Sequence, residues 1–170
     1  MRIIVSDSSC LIDLRKAALL AVFLRLPYEI LIPDTLFEDE LLSFTDVEKK
    51  TLLDSGLKVI DLPGERVSRA REVIRARPRL SIHDGFAFAL AEGNTGCVLL
   101  TGDAQLRALA ESSRIEAHGI LWVFDEIHKN RLADGKALHA ALVLLGTDPA
   151  VRLPKRELTV YMKRYEEDSQ

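Results

Sequence analysis

Two aspartates stand where a parallel α/β fold places its functional side chains. Asp7 follows the first apolar run of the chain, and Asp103 follows a later one. Ligands bind at the carboxyl ends of parallel strands, so both carboxylates are expected at the same edge of the sheet. Asp is also a favoured helix N-cap, and both positions suit that role. Ser8 or Ser9 could cap the first helix instead of Asp7, whereas Asp103 is expected to cap its own helix and could bind a metal as well.

Glu40 is the third candidate because it falls within the apolar arc of a predicted helix. At about 100° per residue, Glu38 and Asp39 point away from that arc, and the apolar residues on it are Leu36, Phe37, Leu41 and Phe44. Glu38 also fits a capping box with Thr35. A core-facing carboxylate is costly unless it is paired or coordinates a cation. Glu40 is therefore either a metal ligand or the partner of a buried arginine.

Asp84 is the fourth candidate and opens a helix that is apolar on every side beyond it. Such a helix should be a central, buried element. Ser81 and Asp84 also have the spacing of a capping box, which explains Asp84 equally well when it is considered alone. The recurrence of acids at four such positions favours a shared functional role.

Four clustered carboxylates need a counter-charge, because like charges at close range raise one another's pKa. Mg²⁺ and Mn²⁺ prefer carboxylate and water ligands. Neither cysteine nor histidine occurs at ligand spacing, which disfavours zinc. Two such ions, roughly 3.5 to 4 Å apart, suit phosphodiester hydrolysis, because one generates hydroxide and the other stabilises the leaving oxygen.

The elements that must position these acids alternate along the chain, which predicts an α/β domain with a mostly parallel sheet. Strands are predicted over residues 2–6, 29–32, 57–61 and 97–101, with a weaker one at 115–117. Helices are predicted over residues 9–26 (in one or two pieces), 35–44, 47–55, 65–76, 82–92, 104–112, 120–130, 135–145 and 155–166. We expect a nuclease-like domain over 1–130 and a helical extension over 131–170 that packs on it, with residues 166–170 frayed.

Composition limits the class of protein. The chain has 170 residues, of which 48% are hydrophobic, enough for the core of one domain. We expect no membrane span and no secretion signal. Cys10 and Cys97 are too few for a disulfide scaffold, so buried thiols and a reducing cytoplasm are expected. The formal charge of −3 argues against non-specific nucleic-acid binding, but two divalent ions on the acids would bring it to about +1.

Several segments together resemble the PIN-domain ribonucleases, and within them the VapC-like toxins of type II toxin–antitoxin modules. They are VSDSSCLI at 5–12, ELL at 40–42, Asp84 before an Ala-rich helix, LTGDAQLR at 100–107 and EAHGILW at 116–122. The resemblance covers residues 2 to about 127. It implies a PIN-like three-layer α/β/α sandwich with a four- to five-stranded, mostly parallel sheet, in agreement with the alternation of elements.

The resemblance also implies the roles of individual residues. The catalytic and metal-binding acids would be Asp7, Glu40, Asp84 and Asp103, with Asp7 as the central ligand of Mg²⁺ or Mn²⁺. Ser9 and Thr101 would be supporting hydroxyls that orient carboxylates or water. Glu40 lies one residue later after Pro33 than the family spacing, which leaves Asp39 as a competitor.

We therefore expect a metal-dependent endoribonuclease, the toxin of a toxin–antitoxin pair, with RNA as substrate, an antitoxin protein as partner and a homodimer as assembly. The apolar segment 11–26 could form a dimer or antitoxin contact, or simply core. One alternative is a PIN-like module that binds a protein partner without nuclease activity. Another is an aspartyl-phosphate phosphohydrolase with Asp7 as nucleophile, although Ser9 stands where that pattern has a second Asp. A Rossmann enzyme lacks support, since no G-x-G-x-x-G or Walker A sequence is present.

Three other features have a functional and a structural interpretation. The first is a cluster of six arginines, which would form either an RNA-facing surface or an ordinary solvated helix with i,i+4 pairs. They are Arg66, Arg69, Arg71, Arg75, Arg77 and Arg79. His83 could support Asp84, but a lone histidine is more often incidental. Trp122 and Phe124 are expected in the core rather than in a base-stacking platform.

Overall fold

The computed structural model describes residues 1–168, and its centre is one five-stranded sheet. All neighbouring strands are parallel, in the order β3-β2-β1-β4-β5. The strands are β1 (Arg2–Ser6), β2 (Tyr28–Pro33), β3 (Lys58–Ile60), β4 (Val98–Leu100) and β5 (Glu116–His118). This confirms the expected α/β class and the weak fifth strand.

Ten helices fill the connections within residues 1–168. They are α1 (Ser8–Lys16), α2 (Leu20–Phe23), α3 (Asp34–Asp39), α4 (Asp46–Asp54), α5 (Gly64–Ala76), α6 (Ile82–Glu92), α7 (Ala104–Ser112), α8 (Ile120–Lys129), α9 (Gly135–Thr147) and α10 (Lys155–Asp168). None is long and apolar enough to cross a membrane. Residues 169 and 170, which belong to the predicted extension and to the tail predicted to fray, lie outside the described residues. The prediction of fraying is wrong for residues 166–168, because α10 continues through Asp168.

The strand order creates a switch point between β1 and β4. The chain moves from β1 through β2 to β3 in one direction, then crosses to β4 and β5 on the other side of β1. Right-handed crossovers place the helices of the two halves on opposite faces, which gives the three-layer sandwich. The carboxyl ends of β1 and β4 therefore flank the crevice where ligands bind in open parallel sheets.

The two central strands are buried on both faces, as parallel strands covered by helices must be. The fully buried side chains of β1 and β4 are Ile4, Val5, Ser6, Val98, Leu99 and Leu100. Helix α6 packs across β1, β2 and β4, and it brings Asp84 to the same end of the sheet. On its other side α6 packs closely on α5, which Gly85 allows, because a Cβ there would lie 3.0 Å from the Ala70 carbonyl oxygen of α5.

The segment predicted as one or two helices over 9–26 is two helices. The chain breaks between them at Ala18, which adopts a left-handed backbone conformation with φ of 59°. Core positions dominate the segment, since Leu11, Leu14 and Phe23 are fully buried. The outer side of α2 nevertheless borders a groove of about 320 Å³ with Leu24 and Val47 among its lining residues.

The helix predicted over 35–44 is shorter than predicted, and its predicted capping box does not form. Helix α3 begins at Asp34, whose carboxylate accepts a hydrogen bond from the Thr35 amide at 2.8 Å, and it ends at Asp39. Within the described residues, the buried Thr35 hydroxyl has no hydrogen-bond partner, so no Thr35–Glu38 box forms. Glu40 is the C-cap residue, because the chain leaves the helix there and turns Leu41 into the core.

The C-terminal helices pack on the same side of the molecule as α1 and α8. Helix α9 contacts α1 and α8, and α10 packs along α9. Their close approach requires Gly135, where a Cβ would lie 2.9 Å from the Tyr165 carbonyl oxygen. The connection 148–154 is joined to α1 by an ion pair of 3.3 Å between Lys16 and Asp148. This connection lies beside the acidic end of the sheet.

Candidate metal centre

Asp7 is the most buried of the candidate acids, with 7% of its surface exposed. Its amide donates a hydrogen bond to the Leu100 carbonyl at 2.8 Å, which holds the end of β1 beside the end of β4. Asp7 occupies the N-cap position of α1, but its side chain accepts no capping hydrogen bond. Neither serine replaces it as the N-cap residue, since Ser8 is already the first residue of the helix. The Asp7 carboxylate is therefore available for another role.

Three hydroxyls donate to the Asp7 carboxylate or lie within reach of it. Thr101 Oγ1 is 2.8 Å from Oδ2, and Ser9 Oγ is 3.3 Å from the same oxygen. Ser8 Oγ lies 3.3 Å from Oδ1. The two expected supporting residues thus contact Asp7 directly. No lysine, arginine or histidine within residues 1–168 forms an ion pair with it.

The environment of Asp7 opposes its ionisation. Burial raises the pKa of its carboxyl from 3.8 to about 6, and the hydrogen bonds from Thr101 and Ser9 offset only part of that increase. The negative charges of Asp84 and Glu40 raise this pKa further. These acids are therefore near enough to repel one another, and the site has a deficit of positive charge.

Ser8 connects Asp7 to Glu40. Its Oγ lies 2.6 Å from Glu40 Oε1, much closer than to Asp7. A hydroxyl has one proton to donate, so the short contact is the one in which Ser8 donates to Glu40. The sequence predicts Ser8 only as a possible helix cap, and its position directly after an acid at a strand end is the one signal of this further role. The hydrogen bond from Ser8 holds Glu40 next to Asp7, although Glu40 lies beyond the end of α3.

The structure separates Glu40 from its competitor Asp39. Glu40 faces the same cavity as Asp7, whereas the Asp39 side chain is 60% exposed and lies 3.1 Å from His83 Nε2. His83 Nδ1 is 4.0 Å from Glu40 Oε2. His83 therefore contacts the segment that holds Glu40 rather than Asp84, its neighbour in sequence.

Asp84 and Asp103 both cap helices, as their positions suggested. Asp84 Oδ2 accepts a hydrogen bond from the Ser81 amide at 2.8 Å in a complete capping box. Asp103 Oδ1 accepts hydrogen bonds from two amides of the first turn of α7, those of Gln105 and Leu106. Within residues 1–168, the second oxygen of each carboxylate has no hydrogen-bond partner. Capping thus fixes both side chains and leaves one oxygen of each for a ligand.

All four acids line one cavity of about 660 Å³ at the carboxyl ends of β1 and β4. Ser8 and Ser9 also line it, whereas Thr101 lies beneath, fully buried. Two cationic side chains reach its wall, Lys16 and Arg152. The sheet edge therefore brings together the residues that the sequence separated by as many as 96 positions, from Asp7 to Asp103.

The donor chemistry of this cavity fits a hard divalent cation. Carboxylate and hydroxyl oxygens are the groups that Mg²⁺ and Mn²⁺ prefer, and a cation would compensate the burial and the repulsion that raise the pKa of Asp7. In the part of the chain that the structure describes, no three carboxylate, imidazole or thiol groups are already close enough to hold one ion. Ion binding would therefore have to draw the four carboxylates closer together.

The remaining candidates lie elsewhere. Arg66 and Arg69 pair with Glu92 of α6 at 3.4 and 2.8 Å, and Arg69 also pairs with Glu72 three residues later. None of the six clustered arginines lines the acidic cavity. Both cysteines are free and buried, as expected.

Trp122 and Phe124 differ from each other. Phe124 is fully buried. Trp122 is half-buried, and its ring stacks on His118 with centroids 4.7 Å apart. The expectation of a core position is thus confirmed for Phe124 and only partly for Trp122.

A family model described as a PIN domain matches residues 3–167, almost the whole chain. The chain belongs to the PIN-domain family. Proteins with this fold are generally hydrolytic nucleases that act on RNA and use divalent ions. No curated protein matches the chain.

Proposed function

We propose that the chain is a Mg²⁺- or Mn²⁺-dependent endoribonuclease whose site is formed by Asp7, Glu40, Asp84 and Asp103. The observation that carries the proposal is the buried Asp7 carboxylate, which accepts no helix-capping hydrogen bond and forms no ion pair with a lysine, arginine or histidine of residues 1–168. A buried charge is retained at such cost where it serves a function. The PIN-domain family supplies the reaction class, hydrolysis of a phosphodiester bond.

The residues divide the work according to their contacts. Asp7 would be the central ligand, since it is the most buried of the four acids and Ser8 joins it to Glu40. Thr101 and Ser9 hold the Asp7 side chain in one orientation, and Ser8 does the same for Glu40. The second oxygens of Asp84 and Asp103 would complete the ligand set. When bound, two ions supply an activated water and stabilisation of the leaving oxygen.

The direct test is cleavage of an unstructured RNA by the purified protein. We expect cleavage with Mg²⁺ or Mn²⁺ and none in excess EDTA. Glu40→Gln should lower the rate roughly 10²-fold or more, because a ligand is lost while the side chain keeps its shape. Asp39→Asn is the matched control and should change the rate less than about threefold, since Asp39 lies outside the cavity. Cleavage that survives in EDTA, or equal effects of the two substitutions, would overturn the proposal.

The resemblance to VapC-like toxins extends the proposal to the role of the protein in the cell. In this form the chain is a toxin that acts in the cytoplasm as a homodimer and is inhibited by an antitoxin protein. A short upstream reading frame for a small DNA-binding protein would be its antitoxin. We expect growth arrest when the chain is expressed alone and relief when both are expressed. Arrest that also occurs with Glu40→Gln would contradict a toxin that acts by RNA cleavage.

A further inference from the structure

A second cavity of about 450 Å³ adjoins the acidic one at the same end of the sheet. Its volume falls within the range of roughly 300 to 1,000 Å³ that is usual for ligand sites. The two cavities share the wall residues Asp13, Gly102, Ala104 and Arg152. A ligand too long for the acidic cavity would therefore pass Arg152 into the second one.

Arg152 comes from the connection between α9 and α10, within the part of the chain that the PIN-domain family model matches but beyond the motifs quoted from the sequence. Its side chain has no ion pair or side-chain hydrogen bond within residues 1–168, although seven acids line the two cavities. The flanking residues Val151 and Leu153 pack on the core, and Asp148 is tied to Lys16. The backbone thus holds this arginine at the boundary between the cavities.

The second cavity is lined by an aromatic pair together with polar groups. The pair is His118 and Trp122, which stack in parallel with an angle of 4° between their rings. Arg107 also lines the cavity and has no ion pair within the described residues. Three acids line it: Glu111, Glu157 and, at the boundary with the acidic cavity, Asp13. Their carboxylates can accept hydrogen bonds from amino groups but would repel a phosphate. A base therefore suits the interior, and a phosphate at the boundary needs the charge of Arg152, which also offsets that of Asp13.

We propose that the second cavity binds a nucleotide next to the scissile phosphate of an RNA strand, with Arg152 as the positioning residue for the phosphate between the two cavities. Aromatic rings stack on bases without sequence preference, and arginine donates a planar pair of hydrogen bonds to phosphate. This inference rests on the proposed function, since it extends the same substrate beyond the acidic site.

The test compares two neighbouring arginines. In an Asp7→Asn background that prevents cleavage, Arg152→Ala should weaken binding of a short unstructured RNA about fivefold and reduce the slope of log Kd against log salt by about 0.7. Arg156→Ala should change neither, because Arg156 is exposed and lines neither cavity. In the otherwise unmodified enzyme, Arg152→Ala should raise KM about fivefold with little change in kcat, and Arg152→Lys should restore the salt slope.

A second pair of variants tests the cavity itself. Ala108→Phe would fill it from the exposed side of α7 and should also weaken binding about fivefold. Ser112→Phe on the same helix lies outside the cavity and is the control. If the enzyme cleaves RNA but Arg152→Ala matches Arg156→Ala, the inference fails and the proposed function stands. If the protein neither binds nor cleaves RNA, both fail.

Discussion

Two aspartates with similar surroundings of hydroxyl groups have opposite electrostatic environments. Asp125 of α8 accepts hydrogen bonds from Tyr161 at 2.6 Å, Tyr165 at 3.0 Å and Arg164 at 2.8 Å. Asp7 has three hydroxyls around it where Asp125 has two, but its charged neighbours are Asp84 and Glu40. Asp125 therefore has a cation, Arg164, as its charged neighbour, whereas the charged neighbours of Asp7 are two further anions.

The consequences appear in the groups that surround each carboxylate. Burial and the hydrogen bond to Asp125 raise the pKa of Tyr161 to about 12, so this tyrosine stays a donor at any physiological pH. Asp125 thereby fixes α10 against α8. At Asp7, by contrast, the fold holds a buried carboxylate near two other acids, although burial and their charges disfavour its ionised form. The difference supports the proposal that Asp7 binds a cation, whereas the contacts of Asp125 join α10 to α8.

The largest expected effect is on catalysis. Asp7→Asn should lower single-turnover RNA cleavage by roughly 10³-fold or more, since metal ions supply several kcal/mol to such reactions. Asp125→Asn should retain activity within about threefold at a temperature where it is folded. Similar losses in both variants would erase the functional distinction between the two carboxylates.

The second expected effect is on stability and has opposite signs at the two sites. Asp7 has a folded pKa of about 6 against 3.8 in the unfolded chain, so the folded state binds more protons between these values. Its contribution to the free energy of unfolding therefore falls as pH rises through that window, and the full cost is present above pH 6. Without metal at pH 7.5, Asp7→Asn should stabilise the protein by roughly 1 to 3 kcal/mol, a gain that vanishes below about pH 4.

Asp125→Asn is the matched control for this measurement. It should destabilise the protein by about 1 kcal/mol, because an amide accepts the tyrosine and arginine hydrogen bonds less strongly than a carboxylate does. Urea unfolding of the three proteins at several pH values measures both effects. A destabilised Asp7→Asn protein at pH 7.5 would show that Asp7 is a structural residue like Asp125.

The smallest expected effect concerns Ser8. Ser8→Ala removes the hydrogen bond that fixes Glu40, so kcat should fall about tenfold, the value of one hydrogen bond to a charged group. Thermal stability should change little, because alanine is a better helix former at this position. Ser43→Ala, at an exposed serine outside the cavity, is the control. An unchanged kcat in Ser8→Ala would mean that Glu40 needs no such support.

Most of the fold follows from local patterns in the sequence. Helix α6 has its predicted bounds, since the Ser81 capping box defines its start and apolar residues fill its length. The helix predicted over 35–44 failed because periodicity alone does not reveal where a chain leaves a helix to bury Leu41 and Phe44. The strand order and switch point follow from handedness rules once the elements are known.

The candidate site was only partly predictable. Chemistry and position identified Asp7 and Asp103, but their shared cavity depends on the pairing of β1 with β4. The bridge from Ser8 to Glu40 spans 32 positions and has no local signature. Arg152 was equally hidden, because its neighbourhood depends on how α9 and α10 pack.

The most direct test of the central claim is a titration of Mn²⁺ into the metal-free protein, with binding measured by calorimetry. We expect saturable binding in the wild type and in Asp125→Asn, and its loss in Asp7→Asn. Bound Mn²⁺ should also raise the stability of the wild type, by about 2.7 kcal/mol at 100 times Kd. Equal Mn²⁺ binding by Asp7→Asn, or none by the wild type, would contradict the assignment of these acids as a metal centre.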